Sequence, residues 1–387
     1  MITKISRGTV ISNGKRCKAN VYYENGTITA ITNEALPYDE EIDAAGNYVS
    51  PGFIDIHTHG AGGHDFLDNT EEAFVESARM HAKHGATVIV PTITSSTKES
   101  MQEAIETFRR VQKRKHDGAQ MPGLHLEGPY FSVNQKGAQD ERFIRPFDES
   151  EYREIIGTGC VLRWTGAPEL DGAEEFAGYL KEHGVLASIG HSDADCQTVR
   201  KAFADGFTHV THLYSCTSTV HRKNAFRYAG IVEAAYLLDD MTVEIIADGI
   251  HLPGDLLEFV YKFKGRNKTA LVTDSMRGAG MPEGMSILGG KKDGMPVIIE
   301  DGVAKLPDRS AFAGSVALCD RLIRTVTTLA SIPLEDAVVM AAGTPASILG
   351  LKNKGDILPG CDADIVIFDE TITIRKTIIG GKTVYSA

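Results

Sequence analysis

The chain has 387 residues, of which 42% are hydrophobic and 24% charged, and its formal net charge at pH 7 is −12. These proportions are typical of a soluble globular protein, and the length exceeds that of a single barrel, so we expect a large core and a second module. Basic residues are dispersed through an acidic chain, which argues against a nucleic-acid partner.

The amino-terminal segment, residues 1–50, contains strand-like runs broken by Asn-Gly pairs at 13–14 and 25–26, which favour hairpins. It lacks the apolar core of a signal peptide, and the chain has no apolar run of about 18 residues, so no membrane association is expected. Residues 355–387 are also rich in β-branched residues. We expect 1–50 plus 355–387 to form one small β-sandwich domain and 51–354 to form a second domain.

Residues 51–60 read PGFIDIHTHG and are the most informative segment of the chain. An apolar run ends in His57 and His59, which project to the same side of a strand because side chains alternate. A buried polar pair without a partner is costly. Two imidazoles that converge at the end of a buried strand therefore indicate a divalent-metal site.

Further candidate residues follow in chain order, each at the end of a short apolar or β-branched run. They are Glu127 in GLHLEGPY, His191 in VLASIGHSDA, His212 in HVTHLYS, His251 in VEIIADGIHL and Asp274 in ALVTDSM. With FIDIHTHG, TVIVPTITSS and VLRWTGAPE these make eight strand-like runs, and helical patterns lie between most of them, as at 71–84, 98–115, 173–183 and 194–205. The alternation predicts a parallel (β/α)8 barrel of the TIM type, whose site lies at the strand ends that carry all these candidates.

The candidate ligands offer imidazole nitrogen and carboxylate oxygen but no thiolate. This set fits zinc, and also iron, manganese or cobalt, and we expect one or two divalent ions per subunit. A bound metal makes hydroxide available near neutral pH. Asp274, just after the eighth run, is placed to take a proton from the attacking water and to return it to the leaving group. Hydrolysis of an amide or ester is the predicted reaction.

Beyond the eighth run, residues 276–312 are rich in glycine, and we expect them to form an irregular excursion beside the site. Helical stretches are expected at 316–330 and 333–349. The histidines within helical patterns are predicted to be solvated; they are His81, His84, His116 and His183. The six cysteines are scattered without paired spacing, which indicates reduced thiols and a cytoplasmic location.

Nearly the whole chain resembles the amidohydrolase superfamily and, within it, the N-acetylglucosamine-6-phosphate deacetylases. The resemblance is carried by PGFIDIHTHG, GLHLEGPY, GAPE at 166–169, GHSDA at 190–194, THLY at 211–214, ADGIH at 247–251, LVTD at 271–274 and PGCDADIV at 359–366. HLEGP is the most specific of these, because related hydrolases often have a carboxylated lysine where Glu127 stands. The resemblance implies metal-dependent removal of acetate from a phosphorylated amino sugar, as in amino-sugar catabolism.

The resemblance also implies the roles of the candidate ligands. By it, Glu127, His191 and His212 bind the main metal. His57 and His59, which only some members possess, hold a second metal together with Glu127.

Catalytic and phosphate-binding roles are implied in the same way. Asp274 corresponds to the general base and acid, and His251 to a contact of the sugar phosphate. In the family the loop at 221–227 crosses to the neighbouring subunit. We therefore expect a homodimer in which Arg227 or Arg222 completes the partner's site.

Three departures from the family pattern fall on substrate recognition. Ser215 and Cys216 follow THLY where the family has asparagine and alanine, and the loop at 221–227 is one residue longer. Gln139 stands in place of a histidine that polarises the acetyl carbonyl. An amide can donate a hydrogen bond to a developing oxyanion, so Gln139 remains a candidate substrate contact.

Two alternatives stay open at this point. One is an amidohydrolase acting on another N-acyl amino sugar, either N-acetylgalactosamine-6-phosphate or an unphosphorylated sugar. The other is a barrel that serves as a non-catalytic scaffold, against which the complete ligand set and Asp274 argue, because buried polar groups are costly without a metal. The sequence does not choose between the gluco and galacto epimers or identify the metal.

Overall fold

The computed structural model describes residues 1–387, and its centre is a barrel of eight parallel strands. In chain order the strands are Phe53–Thr58, Ala86–Thr94, Leu124–Glu127, Val161–Gly166, Leu186–Ile189, Phe207–Val210, Thr242–Ile246 and Thr269–Val272. The barrel closes where Thr58 forms a parallel bridge with Ser275 and the amide of Asp274 donates to the carbonyl of His57 at 2.9 Å. The predicted barrel and all eight of its strands are confirmed.

Helices follow most of the strands in sequence. The α-helices are Glu71–Lys83, Lys98–Gln112, Glu149–Ile156, Ala173–Glu182, Cys196–Asp205, Ile231–Leu237, Gly254–Lys264, Cys319–Leu329, Leu334–Val338 and Thr344–Ile348. Side chains of Thr70, Thr97 and Asp195 each accept a hydrogen bond from the first turn of the helix that follows. This capping sets the helix starts and explains why the helix expected at 194–205 begins only at Cys196.

The interior of the barrel is polar and internally hydrogen-bonded. Buried polar residues come from every strand of the barrel, and they include Asp55, His57, Thr92, His125, Arg163, Thr165, Ser188, His209, Glu244 and Thr269. His125, for example, lies between the hydroxyls of Thr92 at 3.1 Å and Thr165 at 2.7 Å. Because most of these groups have partners inside the protein, the polar interior holds the side chains at the strand ends in fixed positions.

The chain ends build two sheets, the first from the amino-terminal end alone and the second from both ends. One has the strand order Thr27–Thr32, Asn20–Glu24, Ile2–Ser6 and Glu40–Asp43. The other has the order Lys382–Ser386, Ile374–Ile379, Ile365–Phe368, Tyr48–Pro51, Thr9–Ser12 and Lys15–Cys17. Apolar residues from both ends of the chain form one buried cluster that includes Val21, Val49 and Ile365. The sheets therefore depend on contacts between residues more than 300 positions apart.

The segment 276–312 differs from its prediction. It is not irregular but contributes most of a four-stranded antiparallel sheet, with strands Gly284–Leu288, Met295–Glu300, Val303–Lys305 and Phe312–Ser315. Short strands and frequent glycines hide this sheet in the sequence. Its last strand is joined to the barrel end by a parallel bridge between Ser315 and Ser275, so the sheet lies beside the candidate site.

Two smaller features complete the fold. His221–Lys223 and Phe226–Tyr228 form a β-hairpin whose six strand residues are all exposed, and we call it the basic hairpin. The helix expected at 333–349 is divided into Leu334–Val338, a π-helical turn at Val339–Gly343 and Thr344–Ile348. None of the helices is long and apolar enough to cross a lipid bilayer.

Candidate functional site

His57 and His59 lie at the carboxyl end of the first barrel strand and point toward the same centre. His57 is fully buried, and its Nε2 is 3.5 Å from Glu127 Oε1 and 3.4 Å from Asp274 Oδ1. His59 Nε2 is 3.3 Å from Glu127 Oε2 and 3.2 Å from Asp274 Oδ1. The strand alternation expected from the sequence thus places both rings against the same two carboxylates.

A second group is formed by Glu127, His191 and His212 from the third, fifth and sixth strand ends. Glu127 Oε1 is 3.2 Å from His191 Nε2 and 3.0 Å from His212 Nε2, and the two imidazole nitrogens are 3.1 Å apart. Ligands at about 2.1 Å around a tetrahedral ion would be roughly 3.4 Å apart. The three atoms therefore have the spacing of ligands that share one ion.

Local backbone strain marks this set of residues. His191, His212 and Asp274 have φ values of 50°, 29° and 44°, in the left-handed region that non-glycine residues rarely adopt. In each case the preceding barrel strand ends two residues earlier. The backbone reverses there and directs the side chain over the barrel end, and such strain persists where the surrounding structure enforces it.

Glu244 and Arg163 support the site from below, and sequence reasoning missed both. Glu244 is fully buried, accepts a hydrogen bond from His57 Nδ1 at 2.6 Å and forms an ion pair with the Nη1 of Arg163. Arg163 also donates to Ser188 Oγ at 3.0 Å and to Thr211 Oγ1 at 2.7 Å. Because Nδ1 of His57 carries the proton given to Glu244, its Nε2 is the nitrogen that faces the centre and would bind an ion on losing its own proton.

A sequence signal for this pair exists. Arg163 interrupts the apolar run VLRWTG and Glu244 interrupts TVEII, so each places a charge within a barrel strand. Charges inside a barrel must be paired, and two of opposite sign on strands of one barrel are candidates for each other. The sequence gives no distance between the fourth and seventh strands, so their pairing appears only in the folded chain.

The electrostatics of the site follow from close contacts between imidazoles and carboxylates. Burial lowers the pKa of His57, but Asp274, Glu244 and Glu127 outweigh it and raise that pKa to about 9. Burial alone would raise the pKa of Asp274, and the cationic rings of His57 and His59 instead hold it below its usual value. Asp274 is therefore ionised at neutral pH and able to accept a proton.

The ligand groups enclose the floor of a cavity of about 300 Å³. Most of the residues predicted to take part border it, namely His59, Glu127, Gln139, His191, His212, Ser215, Cys216, His251 and Asp274. His57 lies beneath them. Arg222 and Arg227 do not border the cavity of their own subunit, because both lie on the exposed basic hairpin.

Gln139 occupies a defined position at the edge of this cavity. Its Oε1 accepts a hydrogen bond from the amide of Ser95 at 3.1 Å, which turns its Nε2 toward Glu127 Oε2 at 2.9 Å. The amide hydrogen of Gln139 that was predicted to face the substrate oxyanion therefore points at the Glu127 carboxylate in this structure. Gln139 fixes the orientation of Glu127.

His251 borders the cavity at another wall. Its Nδ1 is 2.8 Å from Asp248 Oδ2, and its ring packs against Phe312 with 4.8 Å between ring centroids. Asp248 and Phe312 were not among the predicted site residues. Phe312 comes from the antiparallel sheet at 284–315, whose presence the sequence did not reveal.

One prediction about the histidines is wrong. His81 is fully buried rather than solvated, and its Nε2 is 3.0 Å from the hydroxyl of Thr58. It lies on the inner face of the helix Glu71–Lys83, where it packs against the first barrel strand. A lone histidine in an amphipathic helix carries no sequence signal for this contact.

The residues present fit a divalent metal. Two groups, His57–His59–Glu127 and Glu127–His191–His212, each bring three donor atoms within 4.8 Å of one another, and every residue in them is buried. The buried Nε2 of His57 has no hydrogen-bond partner. An unpartnered buried nitrogen facing two carboxylates is expected of a ligand rather than of a structural histidine.

Comparison with known proteins agrees with this geometry. The model of the amidohydrolase family matches residues 48–384. The chain is 31% identical to an N-acetylglucosamine-6-phosphate deacetylase of Lysinibacillus sphaericus over 96% of this chain and 95% of that protein. It is 32% identical to the enzyme of the same name from Vibrio furnissii over 94% and 90% of the two chains.

Solved structures give the same result. The structure of N-acetylglucosamine-6-phosphate deacetylase from Pasteurella multocida has a TM-score of 0.93 at 25% identity and covers 100% of both chains. A mutant of the Mycobacterium smegmatis deacetylase in complex with N-acetyl-D-glucosamine-6-phosphate has a TM-score of 0.90 at 27% identity, with 100% and 99% coverage.

Proposed function

The chain belongs to the amidohydrolase family and, within it, to the N-acetylglucosamine-6-phosphate deacetylases, and we propose that it converts N-acetylglucosamine-6-phosphate to glucosamine-6-phosphate and acetate. It is a hydrolase of a linear amide. The observation that carries the proposal is the pair of ligand groups that share Glu127 and face Asp274. The comparisons do not favour a scaffold or another sugar.

Asp274 is assigned the proton transfers of this reaction. Its carboxylate lies at the cavity and is ionised at neutral pH, as its lowered pKa requires. It accepts a proton from the attacking water and then donates it to the departing amine, so one group acts first as base and then as acid. A divalent ion held by the two groups would supply Lewis acidity toward the acetyl carbonyl and lower the pKa of water.

We assign two ion positions, with Glu127 shared, and zinc as the metal. The donor set of imidazole nitrogen and carboxylate oxygen suits zinc but also iron, manganese and cobalt. Elemental analysis of protein purified without chelator tests both assignments. Two equivalents of zinc per chain would support them, whereas a single equivalent in fully loaded protein would remove the second position.

Recognition of the phosphate is assigned to His251 and to the basic hairpin of a partner subunit. Arg222 and Arg227 are directly opposite each other in the hairpin, so two cations project from the same face. Like charges placed opposite each other are unfavourable in isolation, and an anion between them would offset this repulsion. We therefore assign a homodimer in which each hairpin completes the other site.

The substrate is tested by measuring acetate release from four compounds. These are N-acetylglucosamine, N-acetylgalactosamine and the 6-phosphate of each. Preference for N-acetylglucosamine-6-phosphate is expected, and preference for either unphosphorylated sugar would contradict the proposal.

We place the enzyme in the cytoplasm, where it would take part in the breakdown of amino sugars. We treat residues 1–50 plus 355–387 as one β-sandwich domain beside the 51–354 barrel.

A further inference from the structure

One wall of the catalytic cavity is the loop 132–139, whose last three residues border the cavity. Gln139 of this loop donates to Glu127 at 2.9 Å. No residue of the loop is buried, and Val133 is 46% exposed. A segment with little buried apolar surface opens at a small cost in free energy, so its hydrogen bonds largely decide its position.

Three hydrogen bonds from the loop end on one carboxylate, that of Asp193. Its Oδ1 accepts from Nε2 of Gln135 at 2.6 Å, and its Oδ2 accepts from Nδ2 of Asn134 at 3.0 Å and from the hydroxyl of Ser132 at 3.2 Å. Ser132 precedes the 3-10 turn Val133–Gln135, and its hydroxyl binds Asp193 instead of capping that turn. A carboxylate can accept about four hydrogen bonds, and its charge strengthens each of them. Asp193 therefore holds the first half of the loop.

The backbone of Asp193 is itself fixed to the barrel. Its amide donates to Oε1 of Glu169 at 2.6 Å, and the hydroxyl of the preceding residue, Ser192, donates to Oε2 of Glu169 at 2.6 Å. Glu169 follows the fourth barrel strand and Asp193 follows the fifth. The loop is therefore attached to two strand ends of the barrel through a single carboxylate.

The same loop determines which nitrogen of His191 carries a proton. Nδ1 of His191 is 2.8 Å from the carbonyl oxygen of Gln135, and the amide of Ser132 donates to the carbonyl of His191 at 2.9 Å. Because a carbonyl only accepts, Nδ1 carries a proton and Nε2 is the nitrogen that faces Glu127. The ring of Phe131 stacks on His191 with 4.3 Å between centroids, which fixes the plane of the imidazole but does not choose between its nitrogens.

We propose that Asp193 is a positioning residue that holds the loop 132–139 against His191 and so couples the placement of the loop to ion binding. The Gln135 carbonyl transmits the effect, because it keeps the proton of His191 on Nδ1 and leaves Nε2 directed at the ion position. The inference rests on the proposed function, in which His191 is a ligand. Coupling between two equilibria is reciprocal, so a bound ion must stabilise the closed loop by the factor by which the closed loop strengthens ion binding.

The first test measures zinc affinity by competition with a chelator, with no substrate present. Asp193→Ala should lower the affinity by about 10-fold to 100-fold, as loss of a partner behind a ligand does. Asp193→Asn should lower it less, because its amide keeps one acceptor oxygen. Gln135→Ala removes the contact from the side of the loop, so the double variant with Asp193→Ala should bind zinc as Asp193→Ala alone does.

Asp195→Ala is the matched control. Asp195 lies two positions further on, and its carboxylate caps the helix Cys196–Asp205 through the amide of Thr198 at 2.8 Å without a hydrogen bond to the loop. The control should therefore lose stability and keep the zinc affinity of wild type. Equal affinity in Asp193→Ala and wild type, or an equal loss in Asp195→Ala, would overturn the inference. A wild-type chain that binds no zinc would overturn the proposed function as well.

Limited proteolysis with trypsin measures the opening of the loop. Lys136 has 39% of its side chain exposed, and trypsin cuts after it at a rate that follows the population of the open loop. Asp193→Ala should speed this cut by about 10-fold or more, and zinc should slow it in wild type by about 10-fold to 100-fold, the factor that reciprocity requires. Mass spectrometry of the fragments identifies the cut between residues 136 and 137. Cleavage left unchanged by the variant or by zinc would overturn the coupling.

Discussion

Asp274 combines three properties that bear on its role. Its backbone is in the left-handed region, its carboxylate is within 3.4 Å of two imidazoles, and it borders the cavity. The close imidazoles keep it ionised, and the strained backbone keeps it directed at the cavity. A single substitution at Asp274 can therefore separate its role in proton transfer from its role in the fold.

Replacement of Asp274 by asparagine should preserve the fold and abolish turnover. An amide of the same shape cannot take a proton from water, and loss of a general base lowers kcat by about 100-fold to 10,000-fold. Circular dichroism and acetate release measure the two effects. Substantial remaining activity would remove Asp274 from its assigned role.

Glu244→Gln should weaken metal binding at His57 and His59 more than at His191 and His212, and should also lower stability by about 3–5 kcal/mol because buried Arg163 loses its counterion. The carboxylate fixes the protonated nitrogen of His57, and loss of such a partner lowers metal affinity by about 10-fold to 100-fold. Competition with a chelator, followed by elemental analysis, gives the affinities of the two positions.

The matched control for Glu244→Gln is His209→Asn. His209 also contacts Glu244, at 3.3 Å, but not His57. The control should therefore lower stability at most and leave both metal affinities unchanged. Equal metal loss in the two variants would mean that the charge network acts only through the fold.

His81 should make the protein less stable in acid. Burial lowers its pKa to about 3, whereas an unfolded histidine titrates near 6.5. Between these values the unfolded chain binds a proton that the folded chain does not, so stability is complete above pH 6.5 and falls as the pH is lowered. At pH 5 the loss from this residue is about 2 kcal/mol.

The measurement is urea unfolding of wild type and His81→Gln at pH 7.5 and pH 5. The variant keeps a polar contact to Thr58 but does not titrate, so it should lose about 2 kcal/mol less than wild type between the two conditions. An identical loss in both proteins would show that other groups control the acid sensitivity.

The predictability of single residues depended on their place in the chain. His57, His59, Glu127 and Asp274 follow apolar runs, and that pattern alone places them at strand ends. Glu244 was missed because its partner is 81 positions away in the sequence, at Arg163. The apolar pattern of the sequence predicts the face on which a residue lies, whereas the partner of a buried charge is set only when the barrel closes.

Among the elements, the basic hairpin differs most from its surroundings. Its strand residues are exposed, its turn residues Asn224 and Ala225 have φ values of 49° and 67°, and Phe226 is 73% exposed. Left-handed turn residues are what a tight two-residue hairpin requires. A two-stranded hairpin is marginally stable alone, so an exposed aromatic residue and opposed arginines suit an element that contacts another subunit.

Replacing Arg222 and Arg227 together by alanine should raise KM for the phosphorylated substrate strongly, by about 10-fold to 100-fold. On the proposed contact, the change would remove two charge-assisted hydrogen bonds to phosphate, each of about 1.5–3 kcal/mol. Solvent screening at the exposed hairpin reduces their sum to the roughly 1.4–2.7 kcal/mol that this change in KM represents. The unphosphorylated sugar should be almost unaffected, since it offers no anion. Steady-state kinetics with both sugars measure the difference.

Two outcomes would contradict the hairpin assignment. Equal changes for the two sugars would mean that the arginines act through structure and not through phosphate. A strictly monomeric active enzyme in sedimentation analysis would exclude completion of the site by a partner. Lys223→Ala is the control on the same strand, because Lys223 pairs with Phe226 and not with the arginines.

The elements themselves were predictable to different degrees. Each barrel strand is an apolar run followed by a helix, a local pattern that needs no distant contact. The sheet at 284–315 was not predicted, because its four strands contain three to six residues and lie among glycines. Such strands acquire their pairing from neighbours, and no periodicity of their own reveals it.

The whole molecule should respond to metal removal, because the ligands come from strands distributed around the barrel. Binding to the folded state alone stabilises it by about 4 kcal/mol when free metal is 1,000 times the dissociation constant. Chelation should therefore lower the melting temperature by several degrees. Differential scanning calorimetry with and without chelator gives the shift.

Glu127→Gln is the comparison for metal removal, because Glu127 belongs to both ligand groups. The variant should melt at nearly the same temperature with or without chelator. A full shift in the variant would mean that the stabilising ion binds elsewhere in the protein.

The buried ion pair of Arg163 and Glu244 also restricts how such a barrel can diverge. A lineage that loses either charge retains the other without a counterion in a dry interior, at a cost of about 3–5 kcal/mol, which is a large part of the stability of a typical domain. Replacement by two apolar residues is tolerable only if both codons change. Among descendants the two positions should therefore be inherited as a unit, with both charges kept or both absent.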